Sequence, residues 1–185
     1  MQIIGGTLKK RRLLTPEDHR IRPISSKLQA AIFDFSFMQV HIHNAQVLDL
    51  FSGTGVLGLE ALSRGAAYTI FVDSNALLTK HNIQKCGCAI RTQVIEKNWE
   101  EATQLLYKQK KVFSLIFIDP PYDFENYAQI IEAIEEKELL ETHGFICIKH
   151  WVKNMMKDEY QTVSIKRHKK YGSTALTFYT KKGSV

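Results

Sequence analysis

From about residue 45 to residue 148, short runs of consecutive apolar residues alternate with stretches of helical spacing. The runs at 47–51, 68–73, 112–119 and 144–148 are apolar at successive rather than alternate positions, as expected for strands buried on both faces of a parallel sheet. Residues 90–96 alternate and supply the third strand in chain order. The intervening segments predict helices over 56–63, about 75–85, about 99–108 and about 127–140. In the last of these, Ile130, Ile131, Ile134 and Leu139 fall near helical spacing, with glutamates opposite. Repeated β-α units imply a parallel sheet with right-handed crossovers and helices on both faces. After residue 148 the pattern changes. Two β-like runs, 162–166 and 175–180, flank the turn Tyr171-Gly172-Ser173 and predict a closing antiparallel hairpin, making seven strands in all. Tyr171 and Gly172 suit a structural role in that hairpin.

The first 44 residues form an extension, with a short β segment over 2–4 and a helix near 25–37, and residues 45–185 form the main domain. No linker, repeat or low-complexity tract marks a second domain. His41-Ile42-His43 reads as a solvated linker; no third ligand nearby would complete a metal site. At 185 residues and 44% hydrophobic content, the chain suffices for one globular domain with a sizeable core. No apolar run approaches the ~20 residues needed to cross a bilayer. The amino terminus lacks the basic region and long apolar core of a signal peptide. A cytoplasmic location and no membrane partner are expected. Cys86, Cys88 and Cys147 supply neither a disulfide framework nor a tetrahedral zinc set, so reduced thiols and no metal are expected.

Charge is distributed unevenly. Residues 1–30 carry seven Lys/Arg and two Asp/Glu, residues 31–144 carry nine and fifteen, and residues 145–185 carry nine and two. Both ends are basic around an acidic centre. Lys9, Lys10, Arg11, Arg12, Arg20 and Arg22 form one cluster, and Lys166 to Lys170, including Lys169, another. Such clusters attract polyphosphate and give salt-dependent affinity, which points to a nucleic-acid partner.

Two loops carry the candidate chemistry. Asp119-Pro120-Pro121-Tyr122 follows the fourth strand, at the edge where open α/β sheets bind ligands. The prolines remove backbone donors, so the Asp119 carboxylate and the Pro120 carbonyl remain as acceptors, with the flat ring of Tyr122 beside them. That set suits a planar group bearing an NH2, such as a nucleobase. The second loop, Phe51-Ser52-Gly53-Thr54-Gly55-Val56-Leu57-Gly58, places Gly53, Gly55 and Gly58 in a Gly-x-Gly-x-x-Gly between the first strand and its helix. Asp73 ends the next strand, where an acid can hold ribose hydroxyls. Asp49, just before the loop, sits badly for a pyrophosphate but suits a cationic cofactor, directly or through water. S-adenosylmethionine combines an adenosine with a positive amino-acid end. Asn98 and Trp99 lie where its adenine edge would fall, although Asn98 equally suits a helix N-cap.

These residues resemble the RsmD-type small-subunit (16S) rRNA guanine-N2 methyltransferases almost end to end. The resemblance includes Ile3-Ile4-Gly5-Gly6, Arg22-Pro23, Asp49 to Gly55, Gly58 to Ala66, Asp119 to Tyr122 and Tyr171-Gly172. The opening glycines and the Gly58–Ala66 string are its most particular parts. It implies a Rossmann-like class I S-adenosylmethionine-dependent fold that is monomeric, with 16S rRNA or the small subunit as partner. It also implies that Asp119 and Pro120 act on a guanine amine, and that Tyr122 stacks on the base. Four positions depart from the family pattern. Ser26 and Gln29 stand where the family carries an acid and an arginine, Asn75 stands for an acid, and Lys149 stands for a glutamate at the end of the fifth strand. N6-adenine or protein glutamine methylation, and a non-catalytic RNA-binding assembly factor, are the rival readings. The short chain and the intact Asp49, Asp73 and Asp119 argue against them.

Overall fold

Buried apolar runs become strands, and the order in which they pair sets the position of every loop. The computed structural model describes residues 1–16, 24–121 and 123–183. Among these, β1 (Gln46–Leu50), β2 (Tyr68–Asp73), β3 (Thr92–Glu96), β4 (Phe113–Ile118), β5 (Leu140–Trp151), β6 (Val163–Tyr171) and β7 (Thr174–Lys181) form one sheet, ordered β3-β2-β1-β4-β5-β7-β6. The first five strands in that order are parallel, and β7 runs antiparallel to both β5 and β6. Helices α1 (Ser26–Phe33), α2 (Ser36–His41), α3 (Val56–Ser63) and α4 (Leu77–Cys86) cover one face, packing on Val47, Phe71, Phe117 and Phe178. Helices α5 (Trp99–Lys108) and α6 (Tyr127–Glu136) cover the other, on Leu48, Ile70, Ile116 and Ile146. The seven-stranded sheet and closing hairpin match the expected class.

Several boundaries differ from the sequence expectation, each for a local reason. The third strand begins at Thr92 because Ala89–Arg91 form a 3-10 turn that leaves Ile90 92% exposed. Helix α6 stops at Glu136: Glu138 has a left-handed φ of 50°, and the Leu139 carbonyl accepts from the Phe113 N–H at 2.8 Å, so Leu139 serves the sheet. The expected helix over 25–37 is two helices, because Phe35 is extended and sets its ring 4.8 Å from that of Phe178. The segment 41–43 is no solvated linker: His41 ends α2 with its ring 4.8 Å from Phe145, and Ile42 is buried.

The amino-terminal segment folds back on itself and docks on the end of α3. Gln2 bridges Arg12, the Ile3 N–H donates to the Arg11 carbonyl at 3.0 Å, and the Leu13 N–H donates to the Met1 carbonyl at 3.1 Å. Gly6 makes the approach possible: its φ is +69°, and a Cβ there would lie 1.8 Å from the Ser63 carbonyl oxygen. The Thr7 N–H donates to that carbonyl at 2.8 Å, and the Ser63 hydroxyl donates to the Gly5 carbonyl at 2.5 Å. Beneath the hairpin, the fully buried Glu60 accepts from the Ile4 N–H at 2.8 Å, Gln29 Nε2 at 2.7 Å and Arg64 Nε at 2.7 Å. The departure at Gln29 therefore supplies a neutral donor to a carboxylate that Arg64 already balances.

Candidate active site

In this strand order the connections after β1 and β4 leave in opposite directions, which opens a crevice between their carboxyl ends. Both candidate loops start there. The Asp119 N–H donates to the Leu50 carbonyl at 3.4 Å, tying the Asp-Pro-Pro turn to the root of the glycine loop. Strand alternation puts Asp49, Asp73, Asp119 and Lys149 on the face that carries Val47, Phe71, Phe117 and Cys147.

The glycine loop is held in a costly shape. Phe51 has φ 60°, a left-handed conformation that a bulky residue adopts only when its surroundings impose it. Its ring meets Phe124 edge-on at 5.3 Å, and Phe124 meets Tyr127 at 5.2 Å. Each glycine has its own reason. Gly53, at φ +52°, donates its N–H to Asp73 Oδ2 at 2.7 Å, and a Cβ there would meet nothing within 4 Å. Gly55 is the left-handed N-cap of α3. At Gly58 a Cβ would lie 2.3 Å from Phe71 Cε1, so this glycine lets α3 lie close on β2. Asp49 is buried and accepts from the Gly58 N–H at 2.9 Å. Burial pushes its carboxyl well above the usual range, the Gly58 N–H opposes this, and the charges of Asp119 and Asp73 push it further up. Asp49 thus braces the loop from below, while Asp73 grips it at the rim with Oδ1 also accepting from the Asn75 N–H at 2.9 Å.

Two residues of α4 that the sequence reading passed over complete the brace. Thr79 donates to the Gly53 carbonyl at 2.8 Å, and Asn82 Nδ2 donates to the Thr54 carbonyl at 2.9 Å. Both are fully buried. The available signal was their spacing: with Ile83 and Cys86 they share the inward stripe of α4, where a polar residue needs a partner. Asn98 is exposed and caps α5, its side-chain oxygen accepting from the Glu101 N–H at 2.8 Å, with the half-buried Trp99 next to it.

On the β4 side, Asp119 lies deep in the crevice with its side chain 19% exposed, and Lys149 Nζ from β5 pairs with its Oδ1. Burial raises the Asp119 carboxyl above the usual carboxylate range, and the charge and hydrogen bond of Lys149 offset part of that rise. Pro120 is buried, and the Pro121 carbonyl accepts from the Phe124 N–H at 3.1 Å, which closes the turn. Tyr122 lies outside the described residues, as do Arg20, Arg22 and Pro23.

Lys9, Lys10, Arg11 and Arg12 are all exposed on the hairpin docked on α3. The second basic cluster occupies β6, the outer strand on the hairpin side of the sheet, where Lys166 to Lys170 are exposed. There Arg167 sits 5.9 Å from the Phe35 ring centre and Lys169 5.4 Å from that of Tyr171.

The open space beside Gly53, the acid at the end of β2 and the buried acid under the loop fit an adenosine cofactor with a cationic end. A family profile described as "Conserved hypothetical protein 95" matches residues 1–180. The chain is 32% identical over 186 residues to "Putative rRNA methyltransferase YlbH" of Bacillus subtilis, covering 99% of this chain and 100% of that protein. It is 28% identical over 181 residues to "Ribosomal RNA small subunit methyltransferase D" of Escherichia coli K12, covering 97% of this chain and 89% of that one. A solved structure, "Putative methyltransferase yhhF from Escherichia coli", superposes with a TM-score of 0.82 at 27% identity, covering 98% of this chain and 97% of the other.

Proposed function

The chain belongs to this family of RsmD-type methyltransferases, and from that premise we propose that it methylates the exocyclic N2 amine of a guanine in small-subunit rRNA, using S-adenosylmethionine. The observation that carries the reading is the Asp-Pro-Pro turn with its Asp119 and Pro120 acceptors, tied to the root of the glycine loop by the Asp119 N–H donating to the Leu50 carbonyl. The relatives named as rRNA methyltransferases support RNA as the substrate class, and "small subunit methyltransferase D" supports the ribosomal particle.

In this reading Asp49, Phe51, Gly53, Gly55, Gly58, Asp73, Asn98 and Trp99 hold the cofactor. When bound, it supplies a sulfonium-activated methyl group. Everything else falls to the chain. A guanine amine is a poor nucleophile because its lone pair is delocalised into the ring. Asp119 and the Pro120 carbonyl accept hydrogen bonds from its two N–H groups and draw the nitrogen towards a tetrahedral shape, with the lone pair aimed into the crevice; the proton that the amine sheds on methylation leaves to solvent. The contribution is positioning and electrostatics. Tyr122 stacks on a base taken out of its helix or loop. The extension, residues 1–44, grips flanking phosphates through Lys9, Lys10, Arg11, Arg12, Arg20 and Arg22, and Lys169 on the outer strand adds a further contact.

The test is methyl transfer from labelled S-adenosylmethionine to small subunits and to naked rRNA from cells lacking this protein, followed by nucleoside analysis. Labelled N2-methylguanosine is the expected product. Labelled N6-methyladenosine would keep the acceptor chemistry and overturn the target base. For the grip, the double variant Arg11→Ala, Arg12→Ala is expected to flatten the dependence of log affinity on log salt by roughly 1–2. Titrating RNA at several salt concentrations measures it, and an unchanged slope would remove the hairpin from the RNA footprint.

A further inference from the structure

We propose that Lys149 is a positioning residue for the methyl transfer: locked onto Oδ1 of Asp119, it keeps that carboxylate ionised in the crevice and leaves Oδ2 to receive the substrate amine. The inference rests on the reading of Asp119 as the amine acceptor.

Asp119 directly follows β4 and Lys149 lies in its parallel neighbour β5, and their side chains are only 19% and 10% exposed. A carboxylate so far out of water is costly without a partner. The other titratable groups around it do not help. Burial makes ionisation harder for Asp49 from β1, Tyr127 from α6 and Cys147 from β5, and the charge of Asp119 adds to it in each. Among the described residues, Lys149 is the cation that acts on Asp119, by charge and by hydrogen bond. Ionisation matters because a protonated carboxyl presents an O–H donor where the amine needs an acceptor.

Lys149 is also held where it is needed. It pairs with Leu176 of β7 while β4 flanks β5 on the other side, and β5 continues past it to Trp151. The backbone beneath the ammonium is therefore fixed by β7 at Lys149 itself and by β4 up to the preceding residue, Ile148. In the sequence this position stood out only as a departure from the family pattern. In the fold that departure lies directly against the proposed acceptor.

The experiment compares wild type with Lys149→Met and Lys149→Arg in two measurements. The first is the pH profile of methyl transfer to naked rRNA. Relative to wild type, Lys149→Met is expected to lose on the order of tenfold or more near about pH 6.5 and to recover most of that loss by about pH 9, with Lys149→Arg close to wild type. S-adenosylmethionine affinity, retained in each variant, confirms the fold. The second needs no substrate: the Asp119 carboxyl carbon, assigned with Asp119→Asn, is followed by NMR across the same pH range, and it is expected to titrate at higher pH in Lys149→Met. Identical titration in wild type and Lys149→Met overturns the proposal, as does a loss independent of pH. Faster transfer by Lys149→Met would identify the ammonium as a plug and overturn it too. If wild type methylates no RNA, the guanine-N2 reading fails, while the NMR titration still decides whether Lys149 sets the state of Asp119.

Discussion

Asp119→Ala is expected to lower methyl transfer by about 1,000-fold or more, roughly 4 kcal/mol of transition-state stabilisation, while S-adenosylmethionine affinity changes by less than about threefold. The size follows from what the carboxylate does in the proposed mechanism. It meets the amine as the nitrogen becomes tetrahedral, so its loss falls on the transition state more than on ground-state binding. The fold adds a complication. Removing Asp119 leaves the Lys149 ammonium, 10% exposed, without its Asp119 partner, and breaking a buried pair from one side costs up to about 3–5 kcal/mol. The single variant is thus expected to melt earlier as well as to fail in catalysis. Adding Lys149→Met separates the two effects: the double variant should regain most of the stability and none of the activity. Transfer rates, cofactor titration and thermal melts on the three proteins measure this. A cofactor affinity that falls in step with the rate would move Asp119 out of the acceptor role and into the cofactor site.

The same pair shows where sequence reading stops. Helices 56–63 and about 99–108 and the strand 68–73 are legible in the sequence, because their apolar periods end in strong local signals: Gly55 before α3, Asn98 before α5, and Asp73 with Asn75 after β2. The glycine loop was legible because its shape is a backbone property written into residue type. Gly55 and Gly58 answer to a left-handed turn and to a 2.3 Å approach by Phe71 that any side chain would block. Strand ends without such a signal were misplaced. Leu139 continues the helical apolar pattern, yet it serves β4, and nothing local distinguishes the two uses. Partnerships across the sheet were out of reach for a different reason. Asp119 and Lys149 are 30 positions apart, and Glu60 and Ile4 are 56 apart. Which residues meet depends on strand order and on how the extension docks, and periodicity encodes neither. Lys149 could be marked as unusual from sequence; what it touches could not.

Glu60 is the contact by which that docking can be broken. Glu60→Ala is expected to destabilise the protein by about 3–5 kcal/mol, a large share of the roughly 5–15 kcal/mol that holds a domain folded. Three donors lose this charged acceptor at once: the Ile4 N–H of the hairpin, the Gln29 amide of α1 and the Arg64 guanidinium at the end of α3. Arg64 keeps its guanidinium 4.9 Å from the centre of the Phe33 ring, and Gln29 keeps a bond to the Gln2 carbonyl at 3.4 Å. Gln29 and Ile4 each lose a charge-assisted bond. Glu60→Gln is the milder comparison, at about 1–2 kcal/mol: its amide oxygen can still accept from Ile4 and Gln29, while its NH2 group faces the Arg64 guanidinium donor to donor and the negative charge is gone. The consequence for function follows from geometry. Glu60 lies beneath the hairpin that carries Lys9, Lys10, Arg11 and Arg12, and the glycine loop is braced separately by Asp49, Thr79 and Asn82. Below its melting temperature, Glu60→Ala is therefore expected to bind S-adenosylmethionine within about threefold of wild type, yet to bind RNA more weakly and with a flatter salt slope. Urea melts, cofactor titration and RNA binding at several salt concentrations test each part. A destabilised variant whose RNA affinity and slope match wild type would mean that the docked hairpin serves folding alone, and the phosphate grip would then have to be sought on the basic outer strand, β6.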